Sequence, residues 1–163
     1  MITIKAEPLT VESFSPYGSF SNVMDPSGCH IGGPYHDFYR DQAKYYTDSL
    51  LPIGLSPLTV RGHGYEIEAV EWHNHSAEGM MPLNDDAVMH VSLAGGEYDI
   101  NQTKAFIVPK GTIITINPGV YHLTPLPVHS EELHALIILP ERCYVNDFEY
   151  MELPAEKRFA IEL

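Results

Sequence analysis

The chain has 163 residues, with 22 Asp and Glu against 9 Lys and Arg, so its formal net charge at pH 7 is −13. A surface this acidic repels phosphate backbones, and the basic residues form no stripe, which excludes nucleic-acid binding. The longest apolar run, at 135–139, is far below the roughly 20 residues that span a bilayer, and the first residues, MITIKAEPL, have neither the basic region nor the apolar run of a signal peptide. We therefore expect a single-domain cytoplasmic protein without membrane contact, in which Cys29 and Cys143 are buried or half-buried free thiols.

The N-terminal segment predicts an edge strand followed by one helical turn. Ile2 and Ile4 share a face at period two within 2–7, and Thr10 stands at an N-cap position before a turn that Pro16 ends. Open barrels leave edge strands that natural proteins cover. We therefore expect a homodimer in which this strand covers an edge.

The rest of the chain has the rhythm of short strands. Residues 29–50 lack clean periodicity and are interpreted as loop and short helix covering a barrel edge. Within 87–93 the pattern predicts one packed face and one partly polar face that carries His90 and borders the lumen. The spacing of the strands, with Gly, Pro and Asn turns between them, indicates an all-β barrel or sandwich. The predicted strands are 58–63, 65–72, 87–93, 105–108, 112–117, 120–124 and 134–139.

One cluster of metal-binding residue types follows the second predicted strand. His73 and His75 are two residues apart, so on a strand they would point to one face, and Glu78 can fold back to join them. The turn at 117–119 can return His122 to the same place. The spacing predicts a divalent-metal site of these four side chains with positions open for water or substrate. The alternative is an empty barrel, or one in which these histidines bind substrate directly.

Two cations lie on predicted strands, Arg61 and Lys104. An anionic substrate that enters a protein of charge −13 needs a local positive partner. We predict that one of these side chains binds the carboxylate of a small anionic substrate. The alternative is that both are solvated surface residues.

Two phrases resemble the motifs of the cupin superfamily, whose fold is a double-stranded β-helix. They are HxHxxE at 73–78 and GxxxxxNPGxxH at 111–122, in which Asn117 stands where proline is usual. Within that superfamily the chain resembles the ureidoglycolate lyases of purine (allantoin) breakdown, formerly called ureidoglycolate hydrolases. Phrases like PLTxExFxPYG, RYHD, RAFI and GVxxxxxVWHHPL match residues 8–18, 34–37, 104–107 and 119–126.

This resemblance implies an all-β cupin barrel with an N-terminal strand and short helices. A single domain would cover 1–163. Its parts would be an N-terminal extension (1–57) that covers the barrel, a barrel core (58–140) and a C-terminal segment (141–163).

The resemblance also implies a lyase of the amidine-lyase type, which cleaves a small hydroxy-acid ureide to glyoxylate and urea by C–N elimination. His122 or Glu78 would remove the hydroxyl proton. A divalent metal ion (Mn, Fe, Ni or Zn) would polarise the hydroxyl, and no organic cofactor is expected. Two other functions stay open at this point: a metal-dependent cupin acting on a sugar or another small acid, and a non-catalytic cupin that binds or senses a small ligand.

Overall fold

The computed structural model describes residues 2–93 and 95–163, which form short strands with two single-turn α-helices and two 3₁₀ turns. The helical segments are α1 (Val11–Phe14), α2 (Cys143–Asn146) and the 3₁₀ turns Ile100–Gln102 and Ala155–Lys157. The strands are β1 (Ile2–Pro8), β2 (Gly18–Asn22), β3 (His30–Gly33), β4 (His36–Tyr39), β5 (Ile53–Arg61), β6 (Glu66–Ile67), β7 (Ala69–Trp72), β8 (Glu78–Pro82), β9 (Ala87–Ser92), β10 (Thr103–Val108), β11 (Thr112–Ile116), β12 (Tyr121–His122), β13 (Leu126–Pro127), β14 (Glu132–Pro140), β15 (Glu149–Glu152) and β16 (Phe159–Glu162).

The strands build two sheets that face each other, and a separate hairpin of β3 and β4. The larger sheet has the order β15-β7-β12-β9-β10-β1-β16-β6, with β13 beside β9, and the smaller has the order β2-β11-β8-β14-β5. Between β7 and β15 the chain passes repeatedly from one sheet to the other, which is the winding of a double-stranded β-helix. The predicted all-β cupin barrel is confirmed.

The larger sheet is covered on both faces around β9, where every residue is buried. Val91 is in register with Lys104 of β10 and with His122 of β12, so these three residues share the face that looks into the lumen. His90 lies on the opposite face, where its ring packs edge-on against Phe159 of β16 at 5.2 Å between centroids. The prediction that His90 faces the lumen is therefore wrong, because the register of β9 with β12 turns His90 away from the face of His122 and Phe159 packs against its ring.

The N-terminus confirms the predicted helical turn and corrects the predicted edge strand. Thr10 caps α1, since its side-chain oxygen accepts the backbone N–H of Ser13 at 3.1 Å. β1 runs parallel to two neighbours, pairing with β16 through its first half and with β10 through its second. In the order of the sheet β1 stands between β10 and β16, both more than 90 residues away in sequence, so it is not the last strand of the sheet. The homodimer stays a prediction, without this strand as its basis.

Six of the seven predicted strands each coincide with one strand of the barrel, whereas the predicted strand 65–72 is divided into β6 and β7, and residues 29–50 differ from expectation. They contain the hairpin β3–β4 and then irregular chain, with no helix among them. The sequence does not predict β8, because this strand has no β-branched residue. Cys143 is buried as expected, whereas Cys29 is an exposed free thiol.

The main core lies between the two sheets and is rich in aromatic contacts. Phe14 of α1 packs edge-on against Phe106 of β10 at 5.4 Å between centroids, which fixes the N-terminal turn over one end of the barrel. No helix in the described ranges is long and apolar enough to cross a membrane.

Candidate metal centre

Three of the four predicted metal ligands meet in the lumen. His73 follows the last residue of β7, Glu78 begins β8 and His122 ends β12, so both sheets contribute to the cluster. Nε2 of His73 lies 3.1 Å and Nε2 of His122 lies 3.3 Å from Oε2 of Glu78. All three side chains are buried, and their ligand atoms lie within 4.8 Å of one another. We call these three residues the His/Glu cluster.

The other ring nitrogen of each histidine is held by a backbone carbonyl. Nδ1 of His73 donates to the carbonyl oxygen of Asp147 at 2.6 Å, and Nδ1 of His122 donates to that of Val120 at 2.9 Å. A carbonyl can only accept, so Nδ1 of each ring carries a proton, and Nε2 faces Glu78, where it either donates a proton to the carboxylate or, once deprotonated, offers its lone pair to an ion. Two imidazole lone pairs and a carboxylate oxygen at one point are the donor set of a divalent metal, with the outer hydrogen bonds usual for histidine ligands. The residues therefore fit a metal ion.

The electrostatics of the cluster keep Glu78 ionised. Burial alone would raise the pKa of Glu78, but the charges and hydrogen bonds of His122 and His73 lower it to about 2. Burial alone would lower the pKa of His122, yet the Glu78 carboxylate, with a smaller contribution from Glu71, raises it above its usual value. A positive charge, proton or metal, is thus favoured between these side chains.

Glu71 is a second carboxylate at the centre, beside the three side chains of the His/Glu cluster, and sequence reasoning missed it. Its side chain is 15% exposed, and its Oε1 lies 4.0 Å from Nε2 of His122. Glu71 and His73 are two residues apart at the end of β7, so they point to the same face. Burial is the main cause that raises the pKa of Glu71. Alternation counted back two residues from His73, a predicted ligand, would have revealed it.

His75, a predicted ligand, lies outside the His/Glu cluster. Its side chain is 63% exposed, and its Nδ1 lies 3.0 Å from Oδ2 of Asp48. The strand that would align His75 with His73 ends at Trp72, and the Asp147 carboxylate accepts the backbone N–H groups of the following turn, including that of His75 at 3.1 Å. This turn sends His75 to the surface.

Arg61, predicted to bind substrate, points away from the lumen. Val60 and Leu133 are in register and buried, so the next pair, Arg61 and Glu132, faces the other side of the smaller sheet. The Arg61 side chain is 82% exposed, and its Nε lies 3.5 Å from Oε2 of Glu132. The structure therefore does not bring Arg61 to the cluster.

Lys104, the second predicted substrate-binding residue, is on the lumen face two strands from His122. At the usual strand spacing this separates the two backbones by about 10 Å. Its ammonium group lies 2.8 Å from Oε1 of Glu7, and the side chain is half exposed. Lys104 thus stands at the rim of the lumen, already paired.

The C-terminal segment supplies a wall that has no periodic signal in the sequence. Sγ of Cys143 lies 3.5 Å from Nδ1 of His73, and the Tyr144 ring is edge-on to His73 at 6.5 Å. Burial raises the pKa of both Cys143 and Tyr144 to about 12, so thiol and phenol are neutral. A cleft of about 160 Å³ reaches Cys143 from the surface, between His75 and Asp147.

A double-stranded β-helix that places two histidines and a glutamate in its lumen defines the chain as a cupin. Residues 40–157 match the model of the family DUF4867, described as a domain of unknown function, and the chain belongs to that family.

Curated relatives carry a more specific name. The chain is 29% identical over 131 residues to a putative ureidoglycolate lyase of Agrobacterium fabrum, and the aligned region covers 77% of each chain. It is 29% identical over 132 residues to a ureidoglycolate lyase of Mesorhizobium japonicum, covering 77% of this chain and 80% of that one. Among solved structures it is similar to an oxalate decarboxylase with Mn(II) centres from Bacillus subtilis, with 17% identity and a TM-score of 0.45. That similarity covers 76% of this chain and 35% of the other, so the chain spans about a third of the length of that enzyme.

Proposed function

We propose that this protein is a metal-dependent lyase that cleaves ureidoglycolate, a small 2-hydroxy-acid ureide, to glyoxylate and urea. The observation that carries the proposal is the His/Glu cluster, with both Nε2 atoms aimed at one carboxylate oxygen in the lumen. The names of the curated relatives support the choice of substrate.

The reaction needs one proton removed and one delivered. The substrate hydroxyl loses its proton as its C–O bond becomes the carbonyl of glyoxylate, the C–N bond breaks, and the leaving ureido nitrogen takes a proton to become urea. When bound by His73, Glu78 and His122, a divalent ion would polarise the hydroxyl and stabilise negative charge on its oxygen. Mn, Fe, Ni and Zn all accept this mixed nitrogen and oxygen donor set.

The geometry favours different roles for the cluster residues, which would bind the ion, and for Glu71, which would remove the proton. Atoms of Glu78 and His122 that hold an ion are not free to take a proton, so neither predicted base is available in the metal-bound site. Glu71 lies 4.0 Å from His122, outside the tight cluster, and shares its lumen face. We assign proton removal to Glu71, and Lys104 at the rim attracts the substrate carboxylate.

The test combines metal analysis with turnover. Purified protein is expected to contain one equivalent of a first-row divalent metal and to release urea and glyoxylate from ureidoglycolate. Glu78→Gln should lose the metal, because a carboxylate ligand becomes a neutral amide, while His75→Ala, altered at an exposed neighbouring histidine, should retain it. Metal without turnover of ureidoglycolate would contradict the lyase proposal and favour a binding protein or another substrate acid.

A further inference from the structure

A segment without periodic structure is fixed against the turn that carries His73. Residues 46–48 pair with residues 75–77. The N–H of Ala77 donates to the carbonyl oxygen of Tyr46 at 2.7 Å, and Thr47 and Ser76 form an isolated antiparallel β-bridge. This pairing ends at the residue before β8. It therefore holds Tyr45 beside the start of the strand that supplies the cluster's carboxylate.

The hydroxyl of Tyr45 has no hydrogen-bond partner within the described ranges, although its oxygen is buried. One other buried side-chain atom there has none, Nε2 of His90, and it lies on the opposite face of the larger sheet. Buried hydroxyls in folded proteins are nearly always paired, because burial without a partner is costly. An unpaired hydroxyl next to a candidate centre therefore points to a partner that arrives from outside the chain.

The surroundings of Tyr45 define what that partner can be. Burial raises the pKa of its phenol above the usual value, and Cys143 and the carboxylates of Glu78 and Asp147 raise it further. These are the groups that also border the cluster and its cleft. The phenol keeps its proton, so it can donate a hydrogen bond to a partner that offers an acceptor oxygen.

We propose that the Tyr45 hydroxyl is the hydrogen-bond donor for a carboxylate or carbonyl oxygen of a small acid bound at the His/Glu cluster. Arg61 faces away from the lumen and Lys104 is paired with Glu7, so neither of these two cations supplies a donor inside the site, and a neutral hydroxyl there can add a hydrogen bond to a ligand held by the cluster. The choice of a small acid as ligand rests on the proposed function.

The experiment compares Tyr45→Phe with Tyr46→Phe, a matched substitution of the neighbouring exposed tyrosine. Protein loaded with Mn²⁺ is titrated calorimetrically with glyoxylate, and with oxalate and lactate as other small acids. Loss of a hydrogen bond to a charged ligand is expected to weaken binding by about 10- to 100-fold in Tyr45→Phe and to leave Tyr46→Phe unchanged. Metal content should be equal in both variants and the wild type.

A second measurement needs no ligand. Since the hydroxyl has no partner inside the protein, Tyr45→Phe should unfold at the same temperature as the wild type or higher. A drop of several degrees would show a structural partner and overturn the inference, as would equal acid binding by both variants or no acid binding by the wild type. If the wild type binds acids through Tyr45 but does not cleave ureidoglycolate, the proposed lyase function fails and this inference stands.

Discussion

A single buried carboxylate, Asp85, holds together the loop between β13 and β14, and replacing it with Asn should destabilise the fold strongly. Oδ2 of Asp85 accepts the backbone N–H groups of Val128, His129 and Ser130 at 3.2, 2.8 and 2.8 Å, and the Ser130 hydroxyl at 2.9 Å. Asp85→Asn keeps the shape of the side chain but removes its charge, and an amide NH₂ group cannot accept these donors.

The size of the effect follows from the pKa of Asp85. Burial alone would raise this pKa, but the N–H groups of Ser130, His129 and Asp86, with the Ser130 hydroxyl, lower it from 3.8 to about 2. At about 1.4 kcal/mol per pKa unit, the ionised form contributes about 2 kcal/mol to the free energy of unfolding. Because the folded-state pKa is the lower one, this stabilisation is present above about pH 4 and is lost as the pH falls towards 2. Donors left without an acceptor add about 1 to 2 kcal/mol to the cost of the substitution.

Urea unfolding followed by circular dichroism at pH 7 and at pH 2.5 measures the total loss of stability and the portion of it that depends on the charge of Asp85. Asp85→Asn is expected to lower the free energy of unfolding by about 3 to 4 kcal/mol at pH 7, and the difference from the wild type should shrink at pH 2.5. Asp25→Asn, at an exposed carboxylate, serves as the control. A loss below about 0.5 kcal/mol at pH 7, the size of an ordinary surface substitution, would refute the reasoning, as would a difference that does not depend on pH.

The remaining predictions concern the lumen. His122→Ala should reduce metal affinity and turnover by at least 100-fold with circular dichroism unchanged, whereas retained metal and full activity would remove this residue from the site. Glu71→Gln should bind metal as the wild type does but turn over substrate about 10²- to 10⁴-fold more slowly, and normal kcat would refute its role as base. Lys104→Ala should raise KM more than it lowers kcat, with the outward-facing Arg61→Ala as its control, and equal effects of the two would show that neither binds substrate.

Local sequence patterns were sufficient to predict the fold class and most of the residues of the His/Glu cluster. Short segments between Gly, Pro and Asn turns predict an all-β barrel, because period and turn chemistry act over a few residues. The return of His122 to His73 could be anticipated for the same reason, since a tight turn at 117–119 reverses the chain directly before it. Thr10 as the cap of α1 is likewise a property of neighbouring residues.

Tertiary structure decided which side chains face the lumen and which segments close it. The residue at which β7 ends cannot be predicted from periodicity, and because the strand ends at Trp72, His75 lies at the surface and not at the cluster. The faces of His90 and Arg61 depend on strand register and on the layer that covers each sheet, both set by partners far away in sequence. Tyr45 lies in a stretch with no periodic pattern, and only backbone pairing with a turn 30 residues later brings it to the centre, because such long-range contacts leave no local trace in the sequence.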